Sequence, residues 1–212
     1  MAQRTEPVAG QGSPTATFGV FAGFVEGTLI WTSTGLVPIN EIKPGDEVLA
    51  HPQHKGEQYY KRVVNTVMRV DEVIWHLSYY DPRESDMGYL YAARDHPFWV
   101  KNAGWVSLNE IKAGQNLEFQ DGMEAVVCLR DTVFRTAEEN VGFVSTIDSD
   151  ECLGFRVDFD DRCKNISTKE EFRHQFMQRS DPFLRRRVFN LEVEDCHMYY
   201  VGAGGLRVHS AG

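Results

Sequence analysis

Residues 35–48 read GLVPINEIKPGDEV, and residues 104–117 read GWVSLNEIKAGQNL. The offset is a constant 69 residues, so that Asn40 answers to Asn109 and Gly45 to Gly114. Each NEIK segment is expected to form one helical turn, with Asn40 or Asn109 as its cap and a glycine at 45 or 114 ending it. The Glu-Lys pair then faces water and Ile42 or Ile111 is buried. A turn written twice implies two homologous subdomains related by a pseudo-twofold axis.

Outward from these turns the chain alternates short runs rich in β-branched and aromatic residues with turn signals. TLIW (28–31), DEVLAHP (46–52), GYLYAA (88–93), HPFWV (96–100) and HMYYVG (197–202) are representative. KRVVNTVMRVDEVIWHLSYYD (61–81) reads as two strands joined near Asp71-Glu72. Such spacing predicts a mostly β, antiparallel fold. One helix is expected, from the capping-box pattern Ser167-Thr168-Lys169-Glu170 through Phe172, Phe176 and Met177 to Asp181-Pro182. It lies in a segment, about 137–187, that breaks the strand rhythm and reads as a small α/β insertion.

The 212 residues are 42% hydrophobic and 12% aromatic, enough for a packed core. Against 31 acidic residues stand only 22 basic ones, a formal charge of −9. That balance excludes broad binding to nucleic acid or an anionic membrane. Arg185-Arg186-Arg187 reads as a solvated loop or strand edge. The four cysteines (128, 152, 163 and 196) show no C-x-x-C spacing, so no structural metal is implied; two disulfides or free thiols both stay open. No apolar run approaches the ~20 residues that cross a bilayer, and no signal peptide is evident. Residues 1–22 read as a small, polar leader or upstream flank, 23–210 as the domain and 211–212 as a downstream stub. The compartment is left open, and a monomer is expected.

Three stretches together resemble the Hint domain, the fold shared by inteins, bacterial intein-like domains and hedgehog autoprocessing modules. GFVEGTLIWTSTGLVPINEIKPGDEVLA (23–50) is similar to its opening motif, and RDHPFWV (94–100) with GWVSLNEIKAGQ to its second. VFNLEVEDCHMYYVGAGGLRVHS (188–210) is similar to its closing strands. The resemblance implies a horseshoe of two pseudo-twofold-related antiparallel β subdomains. It also implies single-turnover autoprocessing of the chain's own flanking segments. In the family a Cys or Ser at the first position takes the preceding acyl group, a Thr and a His polarise that peptide, and a terminal Asn cyclises beside a His. This intramolecular acyl transfer needs positioning and oxyanion stabilisation but no cofactor.

Carried over residue by residue, His96 matches the second-motif His, His197 the closing-motif His, and His209 the His before the terminal Asn. The reactants themselves are missing. Gly23 stands at the nucleophile position, Ala93 at the Thr position and Ser210 at the Asn position. Standard splicing is therefore not expected. Two explanations stay open: junction substitutions that trap a precursor, or natural decay of a Hint domain. A non-catalytic Hint-fold spacer or interaction module of a larger, toxin-type protein is the alternative function. Cys196 beside His197 reads as a buried filler, since strand alternation points the two to opposite faces. Asn190 takes the position where some inteins carry an internal Cys. A Zn2+ on His96, His209 and Cys196 is not demanded by the spacing.

Overall fold

The computed structural model describes residues 22–50, 59–145, 154–161, 164–168 and 180–211. The chain runs through β1 (Phe24–Val25), β2 (Leu29–Thr32), β3 (Gly35–Pro38), a 3-10 turn over Ile39–Glu41, and β4 (Glu47–Ala50). The long β5 (Tyr59–Asp81) and β6 (Asp86–Ala93) follow. The pattern then repeats as β7 (Pro97–Val100), β8 (Gly104–Ser107), a 3-10 turn over Leu108–Glu110, β9 (Asn116–Glu118) and β10 (Glu124–Thr132). β11 (Phe134–Arg135), β12 (Val141–Ser145), β13 (Gly154–Asp158) and β14 (Lys164–Thr168) form a second sheet. β15 (Arg185–Val193), β16 (Met198–Val201) and β17 (Leu206–His209) return to the first.

The first sheet has the order β10-β9-β7-β17-β16-β2-β4-β5-β15-β1-β6, with β3 on β2 and β8 on β7. Additional β10–β5 and β5–β6 pairings wrap it on itself. Every pairing between strands is antiparallel. The fold is therefore the mostly β, pseudo-twofold horseshoe read from the repeat.

The repeat carries down to single hydrogen bonds. The N–H of Gly45 donates to Val63 and that of Gly114 to Val127, both at 2.8 Å. Likewise the Lys43 N–H donates to the Asp46 carboxylate at 2.8 Å and the Lys112 N–H to the Gln115 side chain at 2.7 Å. Both glycines have positive φ (102° and 82°), a conformation that a side chain disfavours. Ile42 and Ile111 are buried as expected, 5% and 0% exposed.

The asparagines do other work than capping. Each turn is a three-residue 3-10 segment entered at Pro38 or Ser107 with no side-chain cap. Asn40 and Asn109 fall inside it. Asn40 instead accepts from the Gly27 N–H at 2.9 Å, and Asn109 turns its carbonyl oxygen to the Arg94 guanidinium at 3.2 and 3.3 Å.

A second correction concerns 61–81, which is one strand rather than two. Its pairing with β15 slips between Arg186 and Val188, where Asp71 adopts φ 62°. A bulge with one residue in the left-handed region bends a strand without ending it, and a polar turn-type residue is what marks it. The expected helix is displaced at its start, because Ser167 and Thr168 belong to β14; the rest of that helix lies outside the described residues.

Packing is organised in two clusters. The larger fills the horseshoe around Phe98, Phe119, Tyr199 and Val208, all at most 1% exposed. The smaller joins the second sheet to the first, with Val144, Val157 and Phe159 against Ile74, Tyr91, Ala93, Val25 and Val188. The second sheet leaves and rejoins at one point: Leu184 donates to Val133 and Arg135 to Pro182, each at 2.8 Å. Arg185–Arg187 lie in β15, and ion pairs tie Arg185 to Asp181 and Arg187 to Glu26 at 3.1 Å. Among the described residues no helix is long and apolar enough to cross a membrane.

Candidate functional site

β1 places the start of the domain between two strands: Phe24 pairs with Phe189 of β15 and with Ala92 of β6. One residue earlier, the Gly23 carbonyl accepts the Ala93 N–H at 2.8 Å. A little further along β15, the Leu191 carbonyl accepts the N–H of Ala211, also at 2.8 Å. Phe24 and Ala211 are thus both tethered to one short stretch of β15, so the two ends of the first sheet's chain path converge.

His96 closes this corner. It is 0% exposed, with its ring 4.2 Å from that of Phe24 and 5.5 Å from Phe98. Among the described residues neither ring nitrogen has a hydrogen-bond partner. Burial holds its pKa well below 6.5, and the nearby His209 acts in the same direction, so the ring is neutral at pH 7. A buried imidazole with two unmatched nitrogens is costly, the more so because interiors normally satisfy such groups.

His209 sits half-buried at the end of β17. Its Nδ1 lies 2.7 Å from the Ser210 carbonyl oxygen, and because a carbonyl only accepts, Nδ1 carries the proton. Burial pushes its pKa down, the Ser210 bond opposes this, and His197 adds to the lowering. The exposed His197 ring stacks on it at 6.0 Å and 15°. Ser210 is 5% exposed; its hydroxyl donates to Cys196 at 3.2 Å and its N–H to the His197 carbonyl at 3.0 Å.

Gly23, Ala93, His96, His209 and Ser210 therefore gather at one place, with His197 on its outer side. The reactive groups do not. Ala93 is 1% exposed and has no hydroxyl, and a Cβ built on Gly23 would stand 2.9 Å from the Phe189 carbonyl oxygen and 3.1 Å from the Val188 Cβ. The arrangement holds the neutral His96 imidazole against Phe24, with no side-chain thiol or hydroxyl at positions 23 and 93.

Cys196 is 2% exposed, its thiol 3.5 Å from the Met198 carbonyl oxygen, while His197 points to solvent. Among the described residues no group of three His, Cys, Asp or Glu side chains is placed to hold a metal. Asn190 is 1% exposed; its oxygen accepts the Tyr199 hydroxyl and the Leu191 N–H, each at 2.8 Å, and its Nδ2 has no partner.

Two contributors were not singled out from sequence. Trp105 stands edge-on to His209 at 5.0 Å, and the Arg207 guanidinium lies 4.1 Å from the Trp99 ring while pairing with Glu118 at 2.9 Å. Trp105 thus stands against His209, and Arg207 in turn lies over the Trp105 ring at 5.6 Å. The signal was there in the repeat, where an indole at 105 replaces the leucine at 36.

The sequence profile of the pretoxin Hint domain matches residues 29–148, more than half of the chain. The fold is similar to a bacterial intein-like domain from Clostridium thermocellum, with 25% identity and TM-score 0.58 over 89% of this chain and 98% of that one. It is also similar to a DnaB intein from Synechocystis sp. PCC 6803, at 13% identity and TM-score 0.54 over 90% and 99%, a likeness of fold alone. No curated protein sequence matches. With the duplicated horseshoe and the convergence of Phe24 and Ala211 on β15, the profile match makes this chain a member of the pretoxin Hint domain family, within the intein-like autoprocessing fold.

Proposed function

We propose that this domain is a self-processing module held in an uncut state, which keeps its two flanking segments side by side without releasing either. His96 is the residue that would protonate the amide at the upstream junction, and His209 the one that would assist at the downstream junction. Gly23 supplies no group to accept the upstream acyl chain, and Ser210 cannot form a succinimide. The single observation that carries this reading is the filled space at Gly23: the Cβ of any nucleophile would press on the β15 backbone at 2.9 Å. That space, with the buried alanine at 93, favours natural loss over substitution at the junctions. A spacer role within a larger polypeptide follows from the same observation.

The test is a longer precursor with a reporter on each side, followed by intact mass. The parent domain should remain one species. A Gly23→Cys, Ala93→Thr, Ser210→Asn variant should yield at least one cut product if the scaffold is a disarmed processing site. Cleavage of the parent would sink the uncut-state reading. A folded but inert triple variant would show that the filled space at residue 23 keeps a nucleophile out of place, whereas a cut triple variant whose cleavage survives His96→Ala and His209→Ala would argue against the assigned roles of those histidines.

A further inference from the structure

A cleft of about 1030 Å³ opens on the first half, lined by residues from Gly27 to Ala203, but its lining sets Glu26, Glu41 and Asp160 against Arg186 and Arg187, so charge selects no occupant. A second cleft, of about 590 Å³, differs in this respect. It lies where three hairpin turns meet: 82–85 between β5 and β6, Gln120–Asp121 between β9 and β10, and Ala203–Gly204 between β16 and β17.

Arg83 pins the three turns together. Its guanidinium donates to Asp81 at 2.6 and 2.9 Å, to Asp121 at 2.8 Å and to the Gly204 carbonyl at 3.1 Å, and lies 3.6 Å from the Phe119 ring. The cation lining the cleft is therefore fully engaged, and it offsets two of the four carboxylates there. The other two, Glu84 and Asp86, are exposed, and among the described residues no cation is paired with either. Asp86 takes only the Met87 N–H, at 2.7 Å.

An uncharged group adds to this independently. Tyr79 lines the cleft and is 4% exposed, yet among the described residues its hydroxyl has no hydrogen-bond partner. Its ring crosses Gly88, its cross-strand partner on β6, where a built Cβ would stand 2.2 Å from the ring and 2.5 Å from the hydroxyl oxygen. A residue without a Cβ at 88 is what lets the hydroxyl reach the cleft, and a buried hydroxyl is costly to leave unmet. The Trp31 indole, whose Nε1 is taken by the Gly202 carbonyl at 2.9 Å, supplies an aromatic wall. The free groups are thus acceptors around an aromatic face, a setting that suits an ammonium, which has three donors and no acceptor.

We propose that this cleft binds a lysine side chain of a partner polypeptide, with the ammonium between the Tyr79 hydroxyl and the carboxylates of Glu84 and Asp86, and the stem along Trp31. The space exceeds what one amine fills, so the main chain on either side of the lysine enters with it. The inference goes beyond the junction chemistry and does not rest on it. The probe is a blocked pentapeptide with one lysine among alanines, titrated into the isotope-labelled full chain and followed by NMR. Saturable shifts are expected at the Trp31 indole N–H and at the Gly88 and Gly204 amides. A norleucine peptide, which lacks only the ammonium, should give none. The Glu84→Gln, Asp86→Asn double variant should bind the lysine peptide at least about tenfold more weakly. Tyr79→Phe, which removes only the hydroxyl, should weaken it about three- to tenfold. Glu84 and Asp86 face solvent, so unchanged shifts elsewhere verify the fold of the double variant. Absence of saturable shifts, equal binding of the norleucine peptide, or an unaltered affinity in either variant would overturn the proposal. So would equal affinity for free butylammonium, which would make the site one for small amines, or saturation of the same signals by calcium in place of the peptide.

Discussion

Lowering the pH should weaken the attachment of the second sheet through one residue, His76. It is 0% exposed on β5, its ring 5.1 Å from Tyr91, 5.8 Å from Tyr89 and 5.2 Å from Phe155 of the second sheet, with neither nitrogen hydrogen-bonded. Burial lowers its pKa from 6.5 to about 3. Between those values the unfolded chain binds a proton that the folded chain refuses, so stability is lost as pH falls through 6.5 towards 3. From this residue alone the loss is about 2 kcal/mol on going from pH 7 to pH 5, tending to about 5 kcal/mol below pH 3. The titratable groups facing His76 are Tyr89, Tyr91 and the cross-strand Asp131, whose own pKa burial raises and whose contribution has the opposite sign. His96 adds a further loss of the same sign as His76. The assay is urea unfolding at pH 7 and pH 5 for the parent and His76→Phe, read as the difference between the two pH dependences. The variant should retain about 2 kcal/mol that the parent loses. An identical pH dependence in both would refute the reasoning, since it would mean that His76 protonates freely in the folded state.

Three further outcomes are expected. Gly23→Ala should cost about 1–3 kcal/mol in urea unfolding, because the new methyl meets backbone at 2.9 Å; a neutral effect would show that β15 yields easily and weaken the case for a closed nucleophile position. Arg83→Ala should cost about 2–3 kcal/mol, because it removes two guanidinium bonds, at 2.6 and 2.9 Å, from the carboxylate of Asp81, 6% exposed, and leaves it only backbone N–H donors. Asp121→Asn, at the exposed end of the same guanidinium, should cost at most about 1 kcal/mol, so equal effects of the two substitutions would contradict this ranking. Trp105→Ala should cost about 2–3 kcal/mol, since the indole packs on the main core and on Trp99 at 5.1 Å, and should change the His209 titration measured by NMR, since the indole stands edge-on to that ring at 5.0 Å; an unmoved titration would deny it a positioning role.

The amino-acid sequence by itself determined most of the strands and the duplication, and it named the candidate site residues. A period-two pattern with Gly45 and Gly114 at positive φ leaves little freedom for those turns, and the motif order carried His96, His197 and His209. Local signals failed where tertiary pairing overrode them. Asp71-Glu72 looked like a turn, yet β15 holds the strand together across a bulge. Ser167 looked like a helix cap, yet it pairs with Phe155 in a sheet. Only the tertiary structure decided that β15 tethers both Phe24 and Ala211, that a side chain at Gly23 would press on β15, and that the first half keeps an open cleft. The space at Gly23 depends on Val188 and Phe189, more than 160 positions away, and the cleft is lined by residues as far apart in sequence as Gly27 and Ala203, so no local pattern encodes either.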